Sequence, residues 1–342
     1  IVQWYEYTGV LGGSLWVLIT NVLAYQMVLK KKRQSFALAA VLLVPLFTST
    51  IITWTNAGVN QEPTHEVLLV QPNVDPYKKF DDGSEVKNLS EMLALVEPEI
   101  SDKTSYVVMP ETAVVEYIDE DNPNRFESIR LLKAFVKKNP QMHLITGVSS
   151  YNFYDANEKA SPTARKTPSG DKYESYNTAI EIDSAGNIAW YHKSKLVPGV
   201  EKMPYPKIFG FLEYFSIDMG GISGSLGSDI EPTVFDAGNK PNLAPLICYE
   251  SVFPGWVSSF TRKGAEILLV ITNDGWWKDT DGYKQHKYYA TLRAIENRRQ
   301  VLRSANTGIS CIIDKNGRIQ QETNWWEPAV LKVEASSYNE LT

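Results

Sequence analysis

Cys248 closes an apolar run, Leu246-Ile247-Cys248-Tyr249-Glu250-Ser251, and the chain then turns into a helix with Pro254 in its first turn. A side chain at a strand-to-helix turn is displayed at the edge of a sheet, where nucleophiles are placed. A helix N-terminus behind it favours thiolate over thiol. On the residues alone, burial as a small apolar group stays open, because that is the usual fate of a free cysteine. Cys311, set among Ile309, Ile312 and Ile313, reads as core packing. A thiol with an ordinary pKa of about 8.5 needs a base or a cation beside it to work near neutrality. No histidine follows a strand end in a way that supplies one. A carboxylate and a lysine do: Glu111 ends SYVVMPE and Lys193 ends NIAWYHK. A buried Glu could take the thiol proton, and an ammonium could favour a developing oxyanion. Lys195 shares the strand face of Lys193 by the period of two, so spacing leaves both lysines open.

Other chemistries lack their signatures. The histidines at 65, 143, 192 and 286 form no HExxH or HxH, so no metal is expected, and no cofactor. The glycine-rich stretch 220–229 is neither GxGxxG nor GxxxxGK and reads as a loop.

The elements that must position these groups alternate between strand and helix. Strands are expected at 66–72, 105–111, 143–151, 177–183, 187–193, 244–250, 266–272 and 309–315, several almost wholly apolar as in sheets covered on both faces. Helices are expected at 84–100, 125–139, 253–264 and 288–305, the last with Arg298 and Arg299 off its apolar face. Asp183–Asn187 and Asp314–Gly317 read as hairpin turns. The order is α/β, and a single domain spans the chain from residue 61 onward.

Charge divides the chain. There are 34 Lys+Arg against 40 Asp+Glu, a net charge of −6, which does not attract nucleic acid. Residues 1–60 hold one acid (Glu6) and four bases, Lys30 to Arg33, so they carry +3 and the remainder −9. Two charge-free stretches flank that basic run and supply membrane-spanning segments at about 8–29 and 35–55. Trp4, Tyr5, Tyr7 and Trp54 fall near the ends, where amphipathic rings favour the headgroup zone. The basic loop 30–33 marks the cytoplasmic side, which sets residues 61–342 outside the cytoplasm. Glu6 and the lack of a cleavage site argue against a signal peptide.

Together, M-P-E, Y-H-K-S-K-L-V-P and L-I-C-Y-E resemble the Glu–Lys–Cys triad of the nitrilase (carbon–nitrogen hydrolase) superfamily, in its order. More narrowly, the chain is similar to the apolipoprotein N-acyltransferases, the membrane-bound branch. The similarity is carried by residues 3–18, by K-x-x-L-V-P-x-x-E from Lys193 to Glu201 (with P-G-V-E where many members have P-F-G-E), by N-D-G-W-W (273–277) and by A-x-x-R-A-x-E-x-R-R (290–299). The resemblance implies an α-β-β-α sandwich preceded by two transmembrane helices. It implies Glu111 as general base, Lys193 as oxyanion stabiliser and Cys248 as the nucleophile that becomes a thioester. Glu201, Tyr249 and Glu250 match supporting positions.

The implied reaction moves an acyl chain from a phospholipid, phosphatidylethanolamine in this family, to the α-amino group of a diacylglyceryl-cysteine lipoprotein at the bacterial inner membrane. The expected form is a monomer with a periplasmic catalytic domain. The family has further spans at both ends, and this chain opens on Ile1 rather than Met, so a fragment is expected. Tyr205 to Phe215, Trp276-Trp277 and Trp325-Trp326 are either core or lipid-facing. Two rival readings keep the fold: a membrane-tethered amidase releasing acyl groups to water, and a non-catalytic lipid-binding module.

Overall fold

A computed structural model describes residues 2–29, 33–55, 64–77, 79, 85–155, 157–202 and 225–338. Residues 30–32 of the basic loop, the aromatic stretch 205–215 and residues 220–224 of the glycine-rich segment lie outside the described residues.

Two helices, α1 (Tyr5–Val28) and α2 (Arg33–Thr55), are long and apolar enough to cross a membrane, and Leu15, Leu18, Val22, Phe47 and Ile51 lie exposed on them. Pro45 sits inside α2 and has no N–H, which orphans the carbonyl of Val41 four residues earlier. The Trp16 indole of α1 donates to that carbonyl at 2.7 Å. Apolar surroundings offer no water as a substitute, so this bond also sets how the two helices meet. Trp16→Phe keeps an aromatic ring and removes the donor. It is expected to lower helix-pair stability by about 1 kcal/mol in an SDS-unfolding titration. An unchanged midpoint would mean that the carbonyl has another donor.

Gly9 breaks α1 with a φ of 60°, a conformation that costs glycine little. The break frees the Val10 N–H, which donates to Glu296 Oε1 at 2.8 Å. Gln3 Nε2 donates to the Asn316 carbonyl at 2.8 Å, and Glu6 pairs with Arg298. The helical stem is thereby joined to the α/β domain by polar contacts on its first two turns.

The domain is a sandwich of two sheets. The first holds β1 (Thr64–Gln71), β2 (Thr104–Val108), β3 (Val114–Asp119), β4 (His143–Phe153), β5 (Arg165–Lys166), β6 (Lys172–Ile182), β7 (Ile188–His192) and β13 (Ala329–Ser336). The second holds β8 (Leu243–Ile247), β9 (Ile267–Thr272), β10 (Gln300–Ala305), β11 (Cys311–Ile313) and β12 (Ile319–Glu322), in the order β12-β11-β10-β9-β8. In β1 the period of two sorts the side chains: Val67 and Leu69 enter the core between the sheets, while Leu68 and Val70 face outward. The outward set packs on α3 (Glu85–Val96) and α4 (Glu127–Lys138) through Leu89, Met92, Ile129 and Leu132. Against the second sheet lie α5 (Pro254–Arg262) and α6 (Asp281–Asn297). The layers are therefore α-β-β-α. Strand β8 is an edge strand, which is why Pro245 is tolerated in it.

The helix expected over 288–305 stops early. α6 ends at Asn297, Arg298 takes a left-handed φ of 51°, and residues 300–305 form β10 between β9 and β11. Arg299, expected off the apolar face of a longer helix, is buried and donates from Nε to the Ala265 carbonyl at 3.0 Å. Local helix propensity runs on through Leu302, but parallel pairing with β9 buries every residue of β10, and burial decides.

Candidate active site

The candidate residues meet where strands of both sheets end. Glu111 lies just beyond β2, Lys193 beyond β7, and Cys248 beyond β8. Ligand sites favour the carboxyl ends of strands in α/β sheets, because successive chain turns converge there.

Glu111 is held on every side. Its Oε1 accepts from Lys193 Nζ at 3.1 Å and from Asn177 Nδ2 at 2.9 Å. Its Oε2 accepts from the Asn273 backbone N–H at 3.0 Å. The turn carrying it packs so tightly on β4 that a Cβ at Gly147 would stand 2.3 Å from the Thr112 nitrogen. Burial alone would raise the Glu111 carboxyl, yet the Lys193 ammonium, the Asn177 amide and the charge of Lys79 hold it below the usual carboxylate range.

Lys193 is 1% exposed and bridges two carboxylates, with Glu201 Oε1 nearer at 2.7 Å. Burial works against its charge, but Glu111 and Glu201 keep the ammonium protonated far above neutrality. The two hydrogens of the Asn177 amide are shared out in the same way, to Glu111 and to Glu201, each at 2.9 Å. Glu201 Oε2 in turn accepts the Val197 N–H at 2.8 Å, which pins the loop that brings it back. Lys195 Nζ lies instead over the Trp256 ring, 4.1 Å from its centre.

Cys248 adopts a φ of 50°. A left-handed conformation costs a residue with a Cβ about 1–2 kcal/mol and is stored where neighbours enforce it. The residue opens a 3₁₀ turn, Cys248–Val252, and α5 begins only at Pro254. The α-helix N-terminus expected behind the sulfur is therefore displaced by one turn. Burial pushes the thiol up, the Glu111 charge adds to this, and Lys193 and the Thr272 hydroxyl offset part of it. The resting group is a thiol beside a carboxylate, not a preformed thiolate. Cys311 is fully buried on β11, where burial raises its thiol to about 11.

Glu250 is a strut rather than a surface acid. It is fully buried, and its Oε1 accepts from Tyr191 Oη at 2.6 Å, the Ser194 N–H at 2.7 Å and Trp256 Nε1 at 3.2 Å. Its Oε2 accepts the Ile247 N–H at 2.9 Å. One carboxylate thus ties the end of β7, which carries Lys193, to the residue before Cys248. Tyr249 packs edge-on against Phe253 with ring centres 5.1 Å apart.

Three contributors had no sequence signal. Asn177 lies mid-strand. Lys79 is 1% exposed, its amine lowered by burial to about 8, and donates to the Glu111 carbonyl at 3.3 Å. His192 stacks on Tyr176 with ring centres 3.9 Å apart, between Glu120 at 2.8 Å and Asp229 at 3.0 Å. Burial opposes its charge, but these two carboxylates raise the imidazole to about 9. A raised pKa means stability fully present below an unfolded value of about 6.5 and lost as pH climbs to about 9. Urea titrations of His192→Gln should accordingly lose the decline that the parent shows between those pH values; an unchanged decline would refute the pairing. Of the paired tryptophans, Trp277 and Trp326 are exposed, while Trp276 and Trp325 are half-buried against Tyr77 and Tyr283.

This arrangement can do nucleophilic acyl chemistry: a thiol, a carboxylate to take its proton, and a buried ammonium for the oxyanion. The family model described as carbon-nitrogen hydrolase matches residues 67–338. A protein named apolipoprotein N-acyltransferase from Chlorobaculum tepidum is 35% identical over 100% of this chain and 65% of its own length. One of the same name from Thermotoga maritima is 28% identical over 93% of this chain and 54% of its own length. The chain thus spans less than two thirds of these curated relatives. Among solved structures, Saccharomyces cerevisiae Nit3, a member of branch 10 of the nitrilase superfamily, superposes with a TM-score of 0.58 at 18% identity, covering 80% of this chain and 90% of its own. An amidase from Nesterenkonia sp. does so with 0.55 at 17% identity, covering 82% and 93%. With that match spanning both sheets and every residue gathered around Cys248, the chain belongs to the carbon–nitrogen hydrolase family.

Proposed function

We propose that this chain is the membrane-anchored catalytic part of an N-acyltransferase. It would move a fatty acyl chain from a phospholipid to the α-amino group of a lipoprotein's diacylglyceryl-cysteine. The observation that carries the reading is the extent of the similarity: the N-acyltransferase of Chlorobaculum tepidum aligns with the whole chain, apolar helices included. The helices would cross the inner membrane with the basic loop 30–33 in the cytoplasm, which sets the domain on the outer face.

The geometry supports a two-stage reaction. Cys248 sulfur attacks the ester carbonyl of phosphatidylethanolamine while its proton passes to Glu111. The transfer is uphill for a raised thiol and a lowered carboxylate, so it proceeds as the S–C bond forms and charge moves onto the carbonyl oxygen beside Lys193. Collapse breaks the C–O bond, Glu111 returns the proton to the leaving alkoxide, and a lysophospholipid departs. The thioester is then attacked by the free α-amine; Glu111 takes a proton from nitrogen and gives it to the departing sulfur.

Intact-mass measurement after incubation with phosphatidylethanolamine should show one acyl adduct, discharged by a diacylglyceryl peptide with a free α-amine and not by its N-acetylated form. Cys248→Ala should lower adduct formation and turnover at least about 10⁴-fold. An adduct that persists in Cys248→Ala refutes the nucleophile. Discharge to water alone, with ammonia released from small amides, refutes the acceptor and favours an amidase.

A further inference from the structure

A second network reaches the backbone of Cys248 from the turn after β9, the turn whose Asn273 N–H holds Glu111, and from α6 and β10. His286 of α6 is 7% exposed. Its Nε2 faces the Cys248 carbonyl oxygen at 3.0 Å, and its Nδ1 faces Asp274 Oδ1 at 2.9 Å. Asp274, 1% exposed in the turn after β9, is also bonded by the Thr272 hydroxyl at 3.1 Å and by Arg303 of β10, which is fully buried. The Ser251 hydroxyl reaches the Cys248 carbonyl at 2.8 Å and His286 Nε2 at 3.0 Å.

A carbonyl oxygen only accepts, so His286 holds it in the form that carries a hydrogen on Nε2. The carbonyl it holds belongs to the one residue of the site's Glu–Lys–Cys trio whose backbone is forced into the left-handed region. Rotation of that peptide toward an ordinary conformation would swing the carbonyl off both donors and carry the sulfur with it. Gly308 belongs to the same packing, because a Cβ there would stand 2.5 Å from Asp274 Oδ2.

We propose that His286 is a positioning residue for the acyl-transfer reaction: clamped by Asp274 and Arg303, it holds the Cys248 carbonyl and thereby aims the nucleophile. The role rests on the acyl-transfer reading for its substrate, and not for its geometry. His286 touches no reacting atom and takes no proton from the substrate. What it supplies is orientation, where a displacement of about 1 Å is worth about 10² in rate.

Two substitutions separate aiming from packing. Gln places its amide nitrogen about where Nε2 lies and keeps a donor for the carbonyl. Asn reaches Asp274 and leaves the carbonyl without its ring donor. His286→Gln should retain kcat, and the rate of Cys248 alkylation by iodoacetamide, within about 5-fold of the parent. His286→Asn should lower both about 10²-fold, with the KM for phosphatidylethanolamine in mixed micelles and the thermal midpoint alike in the two variants. Equal losses in both, or an alkylation rate that His286→Asn leaves unchanged, would overturn the proposal. Should His286→Asn not fold, Asp274→Asn is measured in its place. It loosens the clamp from behind and also removes a charge that raises the Cys248 thiol, so rates are compared per thiolate from their pH dependence and should fall about 10-fold; an unchanged rate per thiolate overturns the proposal. Alkylation needs no lipid, so the two readings can fail separately. A parent that takes no acyl chain yet keeps the alkylation order refutes the substrate, whereas an acylated parent with indifferent variants refutes the positioning.

Discussion

Lys193→Met is expected to abolish acyl-enzyme formation and to destabilise the domain by about 3–5 kcal/mol. The methionine fills the space, so the loss is electrostatic. Lys193 Nζ is the shared partner of Glu111 at 3.1 Å and Glu201 at 2.7 Å, with Lys193 and Glu111 buried and Glu201 nearly so. Without the ammonium, two carboxylates bridged by the Asn177 amide face each other in a dry site. They cannot both stay ionised there, so one takes up a proton near neutral pH. Adding Glu201→Gln removes that repulsion and should restore a substantial part of the stability without any activity. Chemical denaturation of the single and double variants measures this. A double variant no more stable than Lys193→Met would mean that the cost lies in packing rather than charge.

Glu111→Gln is expected to lower kcat about 10³-fold while the protein keeps its fold and its phospholipid KM, since general-base catalysis contributes roughly 10²–10⁴. Glutamine is isosteric, and its carbonyl oxygen can still accept from Lys193 and Asn177, but its amide nitrogen loses the bond from the Asn273 N–H and it cannot take a proton. The parent's pH profile gives a second check. Glu111 is held below the usual carboxylate range and Lys193 well above neutrality, while the Cys248 thiol is raised. kcat/KM should therefore be flat from about pH 5 through the ordinary thiol value of about 8.5. A lowered carboxylate contributes stability above its unfolded value of about 4.3 and loses it as pH falls through the folded one. Acid should thus unfold the parent more steeply than Glu111→Gln. A limb in kcat/KM near pH 8.5 would instead show a free-standing thiol and remove the need for Glu111.

The elements that end at the site are legible in the sequence, because apolar strand runs with a polar last residue are a local pattern. SYVVMPE, NIAWYHK and APLICYE form β2, β7 and β8 with their chemistry just past the last paired residue. Where local pattern and burial disagree, burial wins. The run through Leu302 reads as helix, yet Arg298 turns left-handed and residues 300–305 enter the second sheet, because only there does the backbone of this buried segment find partners. β13 escapes a local reading for a related reason: it pairs antiparallel with β1, far away in sequence, and no short-range turn announces it.

By itself the sequence determined the charge partition, the two apolar segments, most of the order of strands and helices, and the three residue types whose chemistry is complementary. All of these are local properties, written in composition and in periods of two or 3.6. Only the tertiary structure shows which lysine stands beside the carboxylates, because Lys193 and Lys195 share a strand face and part only when Trp256 takes one and the carboxylates the other. It also set the electrostatics. Isolated, Glu111 and Cys248 are an ordinary acid and an ordinary thiol; together, burial is outweighed at Glu111 by the Lys193 ammonium and the Asn177 amide, while at Cys248 burial and the Glu111 charge outweigh the ammonium. Pairing energies and desolvation depend on distances between residues far apart in the chain, and those distances exist only after the two sheets close on each other.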